Sequence, residues 1–386
     1  MSSSGPVYSP PQGQHSPKSG RVRGYWERVT EGRQLDQLWG QMKADARATY
    51  SFYSREVDWE AMGKRNDLKR PFRIAWAFFM AMLMKLTPAR RVALLLAIVL
   101  MIFHFDFSPE GRRVSLDFGG IGVAILFLIL ALELADRVTM KRDLEIARDI
   151  QRWLVPDKPP VVPGVDIAFA TRPQNTVAGD YYDAFMRPGP EGAAGQVLLM
   201  VVADVAGKSV PAALLMATFQ ASVHSLAARP GSLDDLARDL NHYACDHSLS
   251  GMRFTTAFLA EWDSAARQLR YVNAGHNAPF LRRTSGTVER LGEGGLPFGI
   301  SATAEYKSVA VRINPGELLV IFTDGLAEAV NASGQEYGEP RLQERVASFT
   351  NETAAAAMAA LMGDVDTFVG QARQHDDITC LAARFS

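Results

Sequence analysis

"VVADVAGKS", residues Val201–Ser209, is an apolar run that ends in Gly-Lys-Ser. Two chemistries finish this way. A phosphate-cradling loop needs a glycine about six residues before its lysine, so that backbone N–H groups can close on a phosphate. Val202 stands at that position, and the loop reading fails. What remains is a buried strand, too apolar to face water, that carries one carboxylate, Asp204, at its end. A carboxylate there needs partners, and the rest of the chain supplies candidates.

"AGDYYDAF" puts Asp180 at a glycine turn entering a strand. "VIFTDGLAEA" puts Asp324 at the end of another strand, with Gly325 directly after it. "HDDITCLA" puts Asp376 and Asp377 at the start of the last strand. A single aspartate at a strand end is an ordinary turn residue. Several beside strands that read as buried repel one another if they converge, and they then require a cation. Oxygen donors without paired histidine or cysteine suit Mg²⁺ or Mn²⁺ rather than Zn²⁺. Two such ions about 3.5–4 Å apart can hold a water, lower its pKa and spread the charge of a phosphoryl transition state.

The strands alternate with helix pairs. Short β-branched and aromatic runs fall at 165–171, 182–186, 197–203, 255–262, 269–273, 279–282, 308–313, 318–322 and 378–384. Helical patterns come in twos, at 210–228 with 232–249 and at 339–349 with 353–371. Runs of strands broken by helix pairs predict an α+β domain with mostly antiparallel sheets over 160–386. A doubly wound parallel sheet would alternate strictly.

The segments "GDYYD", "ADVAGKSVPAALLMA", "FTTAFLAE", "VNAGHNAP", "LPFGI", "FTDGLAEA" and "HDDIT" resemble, in order and spacing, the metal-dependent protein serine/threonine phosphatases. The branch is that of stage II sporulation protein E and the phosphatases that regulate alternative sigma factors. The resemblance covers about residues 140–386, including the lead-in "ARDIQRWLVP". It implies two stacked antiparallel sheets flanked by helix pairs, an α-β-β-α sandwich, with two Mn²⁺ or Mg²⁺ ions at one edge. It implies that Asp204 bridges the ions and is the centre of catalysis through the water they hold. The Val205 carbonyl is a further ligand, Asp180 the early metal acid, and Asp324 and Asp376 the late ones. Asp377 falls at a neighbouring position suited to support or to a third ion. Gly207 lets the chain turn away from the metals, Gly325 follows the late acid, and His375 is a candidate proton donor to the leaving group. Lys208 and Ser209 open the next helix near the substrate phosphate. Ser209 stands where the family commonly has glycine, and the phosphate-binding arginine of eukaryotic members has no clear counterpart. The implied substrate is a phosphorylated regulatory protein, an anti-sigma-factor antagonist. His276 in "NAGHNAP" reads as a hydrogen-bonded turn residue.

The N-terminal part has another character. Residues 1–20 are rich in Ser, Pro and Gly and read as a disordered tail. Residues 21–70 read as a helical cytoplasmic region. Between 71 and 135 lie three apolar stretches, 74–86, 92–103 and 118–132. They read as membrane-associated helices, the last two forming a two-span hairpin; a buried helix pair is the alternative. A span takes about 20 residues, and these are short. Basic residues flanking the hairpin place both ends in the cytoplasm and the anchor in the inner membrane, although Arg112 and Arg113 in the connection oppose this.

Residues 136–156 continue as a helix with Leu144, Ala147, Ile150 and Leu154 on one face, which either pairs with a second copy as a homodimer or packs on its own domain. The formal net charge of −1 points to no nucleic-acid partner, and two cysteines make no disulfide framework. Two other functions share these features: a non-catalytic receptor or scaffold on the same fold, and a two-metal nuclease or phosphodiesterase. The acids speak against the first, and the lack of a basic groove with aromatics against the second.

Overall fold

The computed structural model describes Trp39 and residues 70–102, 104–107, 114–189, 195–247 and 253–386. The expectations for 1–20 and, apart from Trp39 and residue 70, for 21–70 lie outside the described residues. The chain divides into two compact units, Met1–Asp136 and Arg137–Ser386.

In the first unit, α1 (Arg70–Lys85) and α2 (Pro88–Ile102) are followed by an antiparallel ladder of β1 (His104–Phe107) and β2 (Val114–Asp117). The connection between the second and third apolar stretches therefore contains a β-hairpin, where the sequence pattern shows only a short link. The long helix α3 (Gly119–Leu154) follows. Its start lies antiparallel to α2. A Cβ on Gly122 would stand 2.8 Å from the Ala97 carbonyl, so glycine lets the helices close up. Arg90 donates to Glu133 and Asp136, each at 2.7 Å. Large apolar side chains on these helices stay exposed, among them Phe72, Val92, Ile102, Phe127 and Leu130.

The second unit is the α+β domain. One sheet runs β10 (Gly294–Gly295), β7 (Gln268–Ala274), β6 (Thr255–Asp263), β5 (Gln196–Val205), β4 (Tyr181–Pro188), with β11 (Val309–Arg312) also on β7. The other runs β3 (Val165–Arg172), β13 (Ile378–Phe385), β12 (Leu318–Phe322), β8 (Phe280–Arg282), β9 (Val288–Arg290). All pairings are antiparallel except the two-residue contact of β10 with β7.

The inner faces of both sheets meet in one apolar core that includes Met200, Val202, Phe258, Leu319, Ile321 and Leu381. On the outer face of the first sheet pack α4 (Ser209–Ala227) and α5 (Leu233–Asp246), through Met216, Phe219, Leu236 and Leu240. On the outer face of the second pack α7 (Glu339–Ser348) and α8 (Ala354–Val369); a single turn, α6 (Asp324–Ala327), precedes them. This is helix pair, sheet, sheet, helix pair. By length and composition α4 passes for a membrane span, but its Met216, Phe219 and Val223 are buried in the domain core.

The strands and helices read from the sequence are present with ends moved by a few residues. Missed were β9 and β10, too short to show a period, and α6, one turn directly after a strand.

Candidate metal centre

The acids lie where the two sheets present the same edge. Asp204 is the penultimate residue of β5, at the end of a run whose neighbours are almost wholly buried. Asp180 precedes β4, the strand paired with β5. From the other sheet come Asp324, the first residue of α6 after β12, and Asp376 and Asp377, just before β13. β12 and β13 are paired neighbours. Acids far apart in sequence are therefore delivered to one edge by the register of two sheets.

Their fields show the crowding. Burial first, then the charges of Asp324, Asp376 and Asp377, push the Asp204 carboxyl up to about 7, and a hydrogen bond with Asp180 relieves part of this. Burial and then Asp204 hold Asp180 well above the carboxylate range. Burial and then Asp376 raise Asp324. Thr323 donates to Asp180 Oδ2 at 2.9 Å, and the Thr379 N–H donates to Thr323 Oγ1 at 2.9 Å. That chain ties the early acid of one sheet to the two strands of the other.

Two glycines make the approach possible. A Cβ on Gly325 would stand 2.0 Å from the Asp377 carbonyl, so only glycine lets α6 start against the 376–377 turn. A Cβ on Gly179 would stand 3.3 Å from the Val205 carbonyl oxygen and 3.7 Å from Asp204 Oδ1. Those two oxygens thus border one small space that Gly179 leaves open.

Asp377 is engaged elsewhere. Its Oδ1 accepts from the Gln174 N–H at 2.6 Å and its Oδ2 from the Gly179 N–H at 2.7 Å. It pins the loop that leads to Asp180. Asp376 Oδ1 accepts from the Asp377 N–H, and its Oδ2 accepts from Lys208 Nζ at 2.7 Å. Asp183, the second acid of "GDYYD", points to the opposite face of β4, as a two-residue period demands. There it accepts from the Tyr181 hydroxyl and lies 2.7 Å from His224 Nε2.

Among the described residues, no three His, Cys, Asp or Glu side chains already converge on one point. The acids are electrostatically joined without forming a finished coordination sphere. An all-oxygen donor set, mutual repulsion at Asp204, and a Val205 carbonyl beside its carboxylate fit a hard divalent cation.

The turn after β5 is strained. Gly207 has φ +121 and Ser209 has φ +62, a left-handed value unusual for serine. His375 is exposed at the rim, and its carbonyl accepts from Lys208 Nζ at 3.1 Å. His276 is buried, with Nδ1 3.1 Å from Thr256 Oγ1 and Nε2 turned toward the Phe322 backbone without a closed hydrogen bond. It stands between β6 and β12 behind the acids, and burial drops its pKa to about 4.

Two groups were not singled out from the sequence. Thr323 could have been found from its place in "FTDG", directly before the acid. Gln151 on α3 has no such signal: its side chain donates to the Ala178 carbonyl at 2.7 Å and accepts from the Ala178 N–H at 3.0 Å. The end of α3 is thereby clamped to the residue before Gly179-Asp180. Leu144, Ala147 and Leu154 share the half-buried side of α3, whereas Ile150 is 48 % exposed.

Comparison with known proteins identifies the family and the fold of this domain. Residues 194–386 match the family described as stage II sporulation protein E (SpoIIE). Protein IcfG of Synechocystis is 27% identical over 308 residues, which is 71% of this chain and 47% of IcfG. The chain thus spans about half the length of that relative. Phosphoserine phosphatase RsbU of Bacillus subtilis is 27% identical over 246 residues, 64% of this chain and 70% of RsbU. In structure, the SiaA-PP2C domain of Pseudomonas aeruginosa superposes with a TM-score of 0.56 at 23% identity, covering 65% of this chain and 99% of that domain. The sandwich is therefore the PP2C fold, and the chain belongs to the stage II sporulation protein E family, with a PP2C-type phosphatase domain at its C-terminal end.

Proposed function

We propose that the domain hydrolyses phosphoserine or phosphothreonine on a regulatory protein partner, an anti-sigma-factor antagonist being the substrate class. The supporting observation is the Asp204 carboxyl, raised to about 7 by burial and its acid neighbours and set beside the Val205 carbonyl over the space at Gly179. Such an arrangement is costly unless cations compensate it. Asp180, Asp204, the Val205 carbonyl, Asp324 and Asp376 would hold two Mg²⁺ or Mn²⁺ ions. When bound, the ions supply an activated water and neutralise the phosphoryl charge.

The chain's own residues do the rest. Thr323 orients Asp180, Asp377 fixes the approach loop, and Gly325 holds Asp324 beside Asp376. His375, exposed beside Asp376, would protonate the departing seryl oxygen. The relative named phosphoserine phosphatase RsbU supports hydrolysis of phosphoserine. The test is Mn²⁺-dependent release of phosphate from p-nitrophenyl phosphate and from phosphorylated antagonist proteins of the same organism, with Asp204→Asn as control. Equal hydrolysis by the variant would end the proposal.

Residues 71–135 would anchor the chain in the inner membrane with the domain in the cytoplasm. The exposed apolar faces of α1, α2 and the start of α3 support this, because such patches in water favour aggregation. Release by alkaline carbonate would argue against it. Ile146, Ile150 and Trp153 recur at i, i+4, i+7 on the outer face of α3, all exposed. They would pair with a second copy. Ile150→Glu should then halve the particle mass in detergent.

A further inference from the structure

We propose that Lys208 binds a non-bridging phosphoryl oxygen of the substrate, and so supplies the cation that an arginine would otherwise provide at this edge. The proposal rests on the phosphatase reading above and goes beyond it by assigning a protein group to the substrate phosphate.

The geometry carries it. Lys208 follows Asp204 by four residues and caps α4 with an extended backbone. Its Nζ donates to Asp376 Oδ2 at 2.7 Å and to the His375 carbonyl at 3.1 Å. An ammonium has three N–H donors, so these contacts fix its place and leave one donor available. Lys208 is also the basic group whose charge acts on Asp324, Glu328 and Asp377 together. It therefore lies within electrostatic reach of several acids of this edge. The nearby alternative, Arg172, is committed to Asp366 through both terminal nitrogens.

Stability does not account for the contact. The Lys208 side chain is 56% exposed and that of Asp376 38%, and solvated ion pairs contribute little to folding. A phosphomonoester dianion approaching a rim of carboxylates meets repulsion that metal ions alone offset from below. A flexible ammonium at the rim offsets it from the solvent side, and a point charge suits a phosphoryl oxygen that moves during in-line displacement.

The experiment uses the full chain loaded with Mn²⁺, comparing wild type, Lys208→Met and Lys208→Arg. Inorganic phosphate is titrated as a competitive inhibitor of p-nitrophenyl phosphate hydrolysis, and directly by calorimetry. The Mn²⁺ concentration for half-maximal activity is measured alongside. Losing one charge-assisted hydrogen bond should weaken phosphate binding about tenfold or more in Lys208→Met. Lys208→Arg should recover most of it, and the Mn²⁺ requirement should change little. Unchanged phosphate binding in Lys208→Met would overturn the proposal. So would a loss that disappears on adding Mn²⁺, which would make Lys208 only a support for Asp376. Wild type that hydrolyses no phosphomonoester would instead refute the phosphatase reading, and the calorimetric comparison would still decide Lys208.

Discussion

Replacing Asp204 by asparagine should stabilise the metal-free protein while abolishing its response to metal. The Asp204 carboxyl rises from 3.8 to about 7. At about 1.36 kcal/mol per unit, that is roughly 4 kcal/mol of destabilisation once the group is ionised, an upper bound because Asp204 is only half-buried. The sign follows from linkage. A folded-state pKa above the unfolded value means that stability is fully present below about pH 4 and is lost as pH rises through about 7. With metal stripped by EDTA, wild type should weaken across that window and level off above it. Asp204→Asn carries no charge and should lack this slope. At pH 8 the variant should melt higher by several degrees, taking about 2–4 °C per kcal/mol for a domain of this size. In Mn²⁺ at about 100 times its dissociation constant, wild type should gain about 2.7 kcal/mol by mass action, and the variant should gain almost none. Thermal unfolding of both proteins in EDTA and in Mn²⁺, from pH 5 to pH 8, measures all of this. If Asp204→Asn melts at or below wild type in EDTA at pH 8, the crowding of acids at this edge is not real. If Mn²⁺ stabilises both equally, Asp204 holds no metal.

Gly325→Ala places a Cβ 2.0 Å from the Asp377 carbonyl; the turn must open, and we expect loss of Mn²⁺-dependent activity with a destabilisation of about 2 kcal/mol, read by urea denaturation. Ser209→Gly releases the left-handed strain at φ +62 and should raise stability by about 0.5–1 kcal/mol, since the gain in backbone freedom of the unfolded chain offsets part of the relief. His276 is neutral when folded and titrates from about 4 rather than 6.5. Its contribution is therefore constant above about pH 6.5 and falls as pH drops, by about 2 kcal/mol at pH 5 and roughly 3 kcal/mol below pH 4; His276→Gln should remove that part of the acid sensitivity in paired urea titrations at pH 7.5 and pH 5.

Much of the domain was legible beforehand because its signals are local. The apolar run 197–203 reads as a buried strand without help from the rest of the chain. The same holds for "LLVIF" at 318–322 and for the Ala-rich helix at 354–369. Asp180, Asp204, Asp324 and Asp376 were legible as acids at strand ends, and their shared edge follows once β5 and β4 lie in one sheet and β12 and β13 in the other. Asp377 shows the limit. Adjacent to Asp376 in sequence, it reads either as a support or as the acid of a third ion, and only the fold shows its carboxylate taken by the Gln174 and Gly179 N–H groups. The helix 136–154 shows it again. Its face could be read, but not that Gln151 would grip Ala178, which lies 27 residues further on.

The sequence by itself determined the period of each element, the apolar content of each strand and the chemical type of each donor, because these depend on neighbours along the chain. Only the tertiary structure decided which oxygens face one another and which acid Lys208 meets. Sheet register and a Cβ-free contact at Gly179 and Gly325 bring together atoms that are distant in the chain, and distance in space rather than in sequence sets both electrostatic repulsion and coordination.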